Sequence, residues 1–130
     1  MRLGLALGML LLAGASCTAQ SSPEGAWQVV SLGTTAIEAA DDVTLTLANG
    51  QASGRSGCNR FTGAYSVDGD GFSFGPLAAT RMACPGRASQ IEAQFNDVVQ
   101  SVTGWQIDGE GLVLTDGALP VLRAVPQVTP

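Results

Sequence analysis

The sequence predicts an α+β domain: a strongly curved antiparallel sheet or partly open β-barrel that carries one packed amphipathic helix. Short runs of alternating apolar residues, separated by glycine-containing turns, recur from residue 27 to residue 124. A single segment has helical periodicity instead. The chain has 130 residues; with a leader of seventeen set aside, about 113 remain, enough for one domain and one core.

Arg2 is followed by an unbroken apolar or small run over residues 3–15, which ends just before Cys17. This is the layout of a secretory signal over residues 1–17, too short for a transmembrane helix, which needs roughly 20 apolar residues. Two processing outcomes are open. One is ordinary cleavage after Ala15 or Ala19; the other makes Cys17 a lipidated N-terminus. Leu12-Ala13-Gly14-Ala15-Ser16-Cys17 resembles a bacterial lipobox, although Gly14 replaces the usual large aliphatic residue. The polar, proline-containing residues 18–25 suit a flexible tether and favour lipidation. The folded domain is placed at 26–125 and a tail at 126–130.

Residues 27–32 read as a first strand, and residues 33–40 as a loop or short helical turn. Val43-Thr44-Leu45-Thr46-Leu47 alternates at period two, and Asn49-Gly50 returns it through residues 51–55 as a hairpin. Residues 61–67 and 72–74 flank the turn Asp68-Gly69-Asp70-Gly71. The same pattern recurs around Asp108-Gly109-Glu110-Gly111, between residues 105–107 and 112–114. Asp116-Gly117 then turns into a last strand over 121–124, for seven or eight strands in all.

Between the two similar hairpins lies the helix. It is expected to open at Ser89, with Glu92 completing a capping box, and to stop at Gly104. Ile91, Phe95, Val98, Val99 and Val102 fall on one face, which should pack on the sheet.

Formal charge is −5 for the chain; removing Arg2 leaves five Arg against eleven Asp and Glu, a net −6. Nucleic acid is not an expected partner. There is no His, so Ser-His-Asp and Cys-His sites cannot be built. Three Cys are too few for a four-thiolate zinc site. No metal site and no cofactor are expected, and the chain reads as a non-enzyme.

With Cys17 assigned to an anchor, Cys58 and Cys84 are left to pair in an oxidising compartment. The bridge closes a loop of about 27 residues, worth roughly 3.5 kcal/mol in chain entropy. The alternative is a redox pair, though no Cys-x-x-Cys motif is present. The bridge would gather Asn59, Arg60, Thr80 and Arg81 into a cluster suited to a carboxylate or phosphate; the competing reading is that these arginines pair with acidic residues or carbonyls. Asp68, Asp70, Asp108 and Glu110 read as solvated turns, since the remaining ligands of a calcium loop are missing. Trp27 and Trp105 read as core residues.

The segments Gly57-Cys58-Asn59-Arg60-Phe61 and Thr80-Arg81-Met82-Ala83-Cys84, with Trp27-Gln28-Val29-Val30-Ser31-Leu32, Phe95 in the helix and Leu112-Val113-Leu114, resemble the META domain family of HslJ-like bacterial envelope lipoproteins. The resemblance implies a compact α+β fold in the cell envelope, with roles around heat shock, stress response, drug tolerance or motility and no catalytic residues. The expectation is therefore an exported, non-catalytic domain in the periplasm or outer membrane. It would hold to the membrane through a lipid on Cys17 and act on an unknown envelope component or support envelope integrity. A small-ligand or anion receptor using Arg60 and Arg81 is one alternative. A redox factor using Cys58 and Cys84 is the other.

Overall fold

The computed structural model describes residue 4 and residues 22–128. Cys17, nearly all of the leader and the last two residues of the tail lie outside the described residues.

Among the described residues, nine strands and one α-helix follow in the order β1 (Gly25–Leu32), β2 (Thr35–Ala36), a 3-10 turn (Ala39–Asp41), β3 (Val43–Ala48), β4 (Gln51–Ser56), β5 (Arg60–Asp68), β6 (Gly71–Ala79), α1 (Arg87–Ser101), β7 (Gly104–Asp108), β8 (Gly111–Asp116) and β9 (Leu119–Pro126). From β3 to β9 each strand pairs antiparallel with the next, and β1 pairs with both β3 and β9, so the sheet curls round and meets itself. It is a strongly curved sheet and not a regular barrel, because β6 and β7 share a single residue pair, Gly71 with Gly104. Beyond that point β6 has no strand neighbour on this side. The C-terminal half of α1 flanks it instead, with Asn96, Val99 and Gln100 across a shallow depression from Phe74 and Leu77.

Local chemistry explains the elements. Val43, Leu45 and Leu47 point inward and are fully buried, while Thr44 and Thr46 face the other way. Asn49 and Gly50 both have positive φ (53° and 77°), which is the backbone of a type I′ hairpin turn. The two similar hairpins pair Asp68 with Gly71 and Asp108 with Gly111, each with positive φ at the first loop glycine. Asp68, Asp70, Asp108 and Glu110 are exposed there. In β4, Gly54 has φ +155° and lies so close to the Thr44 carbonyl of β3 that a Cβ would collide with it.

Ile91, Phe95, Val98 and Val99 turn the helix inward against Val29, Leu45, Leu112, Leu114 and the rest of the core. Phe95 packs against Phe61 with ring centroids 4.9 Å apart and the rings tilted by 38°. Trp27 is buried and donates from Nε1 to the Pro23 carbonyl at 2.9 Å. Pro23, inside the stretch read as a tether, is thereby packed into the domain. Half-buried Trp105 donates to the Gly69 carbonyl at 2.8 Å and ties β7 to the β5–β6 turn. Both indoles serve packing.

The helix differs from expectation at both ends. It starts at Arg87 with Gly86 as N-cap (φ +62°), and no side chain caps it. Ser89 lies inside the first turn, and the Glu92 carboxylate is engaged elsewhere, as described below. Val102 is already extended, so the helix stops before Gly104, which opens β7. Residues 33–40, read as a loop or short helical turn, hold the short β2 and the start of the 3-10 turn.

Candidate functional site

The connection from β4 to β5 runs past the N-terminal half of α1. Along β4 the inward positions are Ala52, Gly54 and Ser56, which puts a hydroxyl into the core, where Ser56 is 1% exposed. A buried hydroxyl needs a partner. Gly57, at φ +100°, lets the chain lie against the helix; a Cβ there would sit 2.9 Å from Ile91 Cγ2. Glu92 follows Ile91 and points into this turn.

The Glu92 carboxylate accepts four hydrogen bonds: Ser56 Oγ at 2.5 Å, Asn59 N at 3.2 Å, Cys58 N at 3.4 Å and Asn59 Nδ2 at 3.3 Å. Bonds to an ionised acceptor are about twice as strong as neutral ones. Asn59, 7% exposed, carries the link onward. Its Oδ1 accepts from Thr80 Oγ1 at 3.0 Å and from Met82 N at 2.8 Å. Arg60 N donates to Thr80 Oγ1 at 3.1 Å, and Thr80 N to the Arg60 carbonyl at 3.0 Å. The Cys58–Cys84 disulfide, with Cα atoms 5.9 Å apart, closes the same region covalently.

The sequence-predicted quartet is thus brought together, but its members do different work. Asn59 and Thr80 spend their polar groups inside the protein. Arg60 and Arg81 are exposed, and neither guanidinium has a hydrogen bond or ion pair among the described residues. The remaining described arginines are engaged. Arg55 Nε lies 2.6 Å from Asp42 Oδ2, a charge contact without the alignment of a hydrogen bond. Arg123 approaches Asp108 at 3.9 Å. Arg87 grips Asp41 through two 2.9 Å bonds and also donates to the Ala36 carbonyl at 3.0 Å. The Arg87 bonds, followed by the Glu38 N–H, hold the Asp41 carboxyl down at about 2, and Asp41 in turn raises the guanidinium.

Glu92 and Ser56 are the site residues that sequence reasoning missed. The inward, polar Ser56 at the end of an alternating strand was the available signal, since it demands a partner from elsewhere. Ser56 and Glu92 bring a hydroxyl to a carboxylate, yet the hydroxyl is buried and three N–H groups also occupy the carboxylate, so no substrate can be attacked from here. Cys58 is 4% exposed. Among the described residues no group of three His, Cys, Asp or Glu side chains is placed to hold a metal ion, and no helix is long and apolar enough to cross a membrane. The arrangement is a polar brace that fixes a surface.

A family model, the META domain, matches residues 20–129. The chain belongs to the META domain family. No curated protein matches it. Among solved structures, this META domain is similar to an NMR structure of a protein from Burkholderia xenovorans (30% identity, 82% of this chain and 83% of that one, TM-score 0.63). A crystal structure of a DUF4847 family protein from Bacteroides vulgatus shares the fold at 14% identity over 82% and 95% of the two chains, with a TM-score of 0.59. A further NMR structure does so at 15% identity over 78% and 89%, with a TM-score of 0.62. Membership of the META family supports a non-enzymatic domain.

Proposed function

We propose that this META domain is an exported, non-catalytic binding module of the bacterial cell envelope. It is held at a membrane through acylated Cys17 and serves envelope integrity or stress tolerance by engaging another envelope component. The observation that carries this reading is the Cys58–Cys84 bridge. A structural disulfide belongs to an oxidising compartment, and the signal-like residues 3–15 followed by Cys17 supply the route there. Replacing Cys17 with Ser tests it. The native protein should sediment with membranes and incorporate labelled fatty acid, and the variant should do neither; both forms in the cytosol would refute export.

A second reading is favoured by Arg60 and Arg81, which have no partner among the described residues: a receptor for a small carboxylate or phosphate ligand. A ligand at a hundred times its dissociation constant should add about 2.7 kcal/mol of stability, lost when both arginines become Gln. An absence of any shift across phosphates and di- and tricarboxylates would remove this reading. A redox role draws less support, because Cys58 is buried and its backbone N–H and that of Asn59 are held by the Glu92 carboxylate.

A further inference from the structure

Residues 80–83 leave the end of β6 in irregular conformation, and all four are exposed. Exposed connecting segments are ordinarily mobile. This one is pinned on both sides of a single free residue. Before Arg81, Thr80 is held by Arg60 through two backbone contacts of 3.0 and 3.1 Å and by Asn59 Oδ1 at 3.0 Å. After it, Met82 N donates to that same Oδ1 at 2.8 Å, and Cys84 is bonded to Cys58. Arg81 itself makes no hydrogen bond among the described residues, through side chain or main chain. Met82 beside it is 55% exposed.

We propose that residues 80–83 are a substrate-like inhibitory segment for an arginine-specific serine protease, with Arg81 entering the protease's acidic specificity pocket and the Arg81–Met82 bond facing its nucleophile. A guanidinium fork matches a carboxylate at the base of such a pocket. A segment already fixed by its own protein loses little conformational freedom on docking, which raises affinity. A free anion would use the guanidinium alone, whereas a protease cleft also covers the exposed Met82 and Ala83.

The anchoring explains inhibition in place of digestion. On attack the protease serine oxygen bonds to the Arg81 carbonyl carbon. The carbon–nitrogen bond to Met82 breaks, and the serine proton passes through the protease histidine to the Met82 nitrogen. The new amine stays on Asn59 Oδ1, with Cys84 bridged behind it, while Thr80 keeps the acyl side on Arg60 and Asn59. Held in place, the amine re-forms the peptide bond ahead of water and the protease remains occupied. This inference goes beyond the function proposed above and stands whether or not Cys17 is acylated.

The purified, oxidised protein titrated into trypsin with a chromogenic arginine substrate tests it. Stoichiometric inhibition is expected. Arg81→Ala should weaken it by roughly 100-fold or more, as loss of a buried anchor does, while Arg81→Lys keeps it and Arg81→Leu transfers it to chymotrypsin. Near-UV circular dichroism confirms that each variant is folded. Arg60→Ala should leave inhibition unchanged, which separates this segment from a shared anion patch. Absence of inhibition, turnover cleavage after Arg81 as an ordinary substrate, or equal loss in Arg60→Ala with relief by phosphate would each overturn the proposal.

Discussion

Glu92 holds Asn59 at both of its nitrogens: one carboxylate oxygen accepts the main-chain N–H at 3.2 Å and the other accepts the side-chain amide at 3.3 Å. With its nitrogens fixed, Asn59 presents Oδ1 in one orientation, and that oxygen secures Thr80 and Met82. A helix side chain thereby sets the position of an exposed segment it does not touch. Losing this carboxylate removes the acceptor of the Cys58 and Asn59 main-chain N–H groups and of the Asn59 amide, and leaves the buried Ser56 hydroxyl only the Asn59 carbonyl at 3.1 Å.

Glu92→Ala should therefore cost about 2–4 kcal/mol, since several donors lose a charged acceptor at once. Glu92→Gln should cost less, because one amide oxygen remains to accept. Urea unfolding with an unchanged slope measures both. A shift below about 0.5 kcal/mol in Glu92→Ala would mean that the brace contributes nothing.

Replacing Cys58 and Cys84 together with Ser should lower stability by about 3.5 kcal/mol, the entropy of closing a loop with 26-residue separation. The double variant is compared with oxidised protein by urea midpoint. Equal midpoints would show that the bridge does not constrain the unfolded chain.

The Asp41–Arg87 pair joins the 3-10 turn to the start of α1 and has a defined pH signature. Asp41 titrates at about 2 when folded, against 3.8 for a free carboxyl. A depressed carboxylate adds stability above the unfolded value and loses it as pH falls toward the folded one. The melting-temperature gap between native protein and Asp41→Asn should be steady above about pH 5, narrow as pH falls through 4, and nearly close at about 2. Salt should shrink it, because the Arg87 side chain is 53% exposed. A gap that stays level down to pH 2 would contradict the assignment.

Arg60→Gln and Arg81→Gln, singly or together, should leave the melting temperature almost unchanged, within about 0.5 kcal/mol of stability, because neither guanidinium has a partner among the described residues. Thermal unfolding checks this before any binding assay is interpreted. A large loss would mean that the arginines are structural.

Much of the fold was legible because its signals are local. Asn49-Gly50 can adopt two positive φ angles in succession, and Val43, Leu45 and Leu47 alternate at strand period. The face of Ile91, Phe95, Val98 and Val99 repeats at helix period. The Cys58–Cys84 pairing followed from counting thiols in a chain read from its sequence as exported. Contacts between distant segments were not legible: the meeting of β1 with β9, or the single-pair seam at Gly71 and Gly104. The helix start was misplaced for the same reason. Ser89 and Glu92 have capping-box spacing, but Ser56, Cys58 and Asn59, more than thirty residues away, offer the carboxylate more donors than its own helix end does. The expected bridge grouped Asn59 and Thr80 with Arg60 and Arg81 as one binding cluster. Hydrogen bonding divides them: the Asn59 and Thr80 side chains hold the scaffold, and the two guanidinium groups face solvent.

Export with an intact bridge underlies the whole reading, and the intact mass of the protein isolated from its native host, with and without reductant before alkylation, tests it most directly. The expected result is a chain beginning at Cys17 with added acyl mass, in which Cys58 and Cys84 take up alkylating agent only after reduction. A chain retaining Met1 and carrying three alkylated thiols without reductant would contradict it.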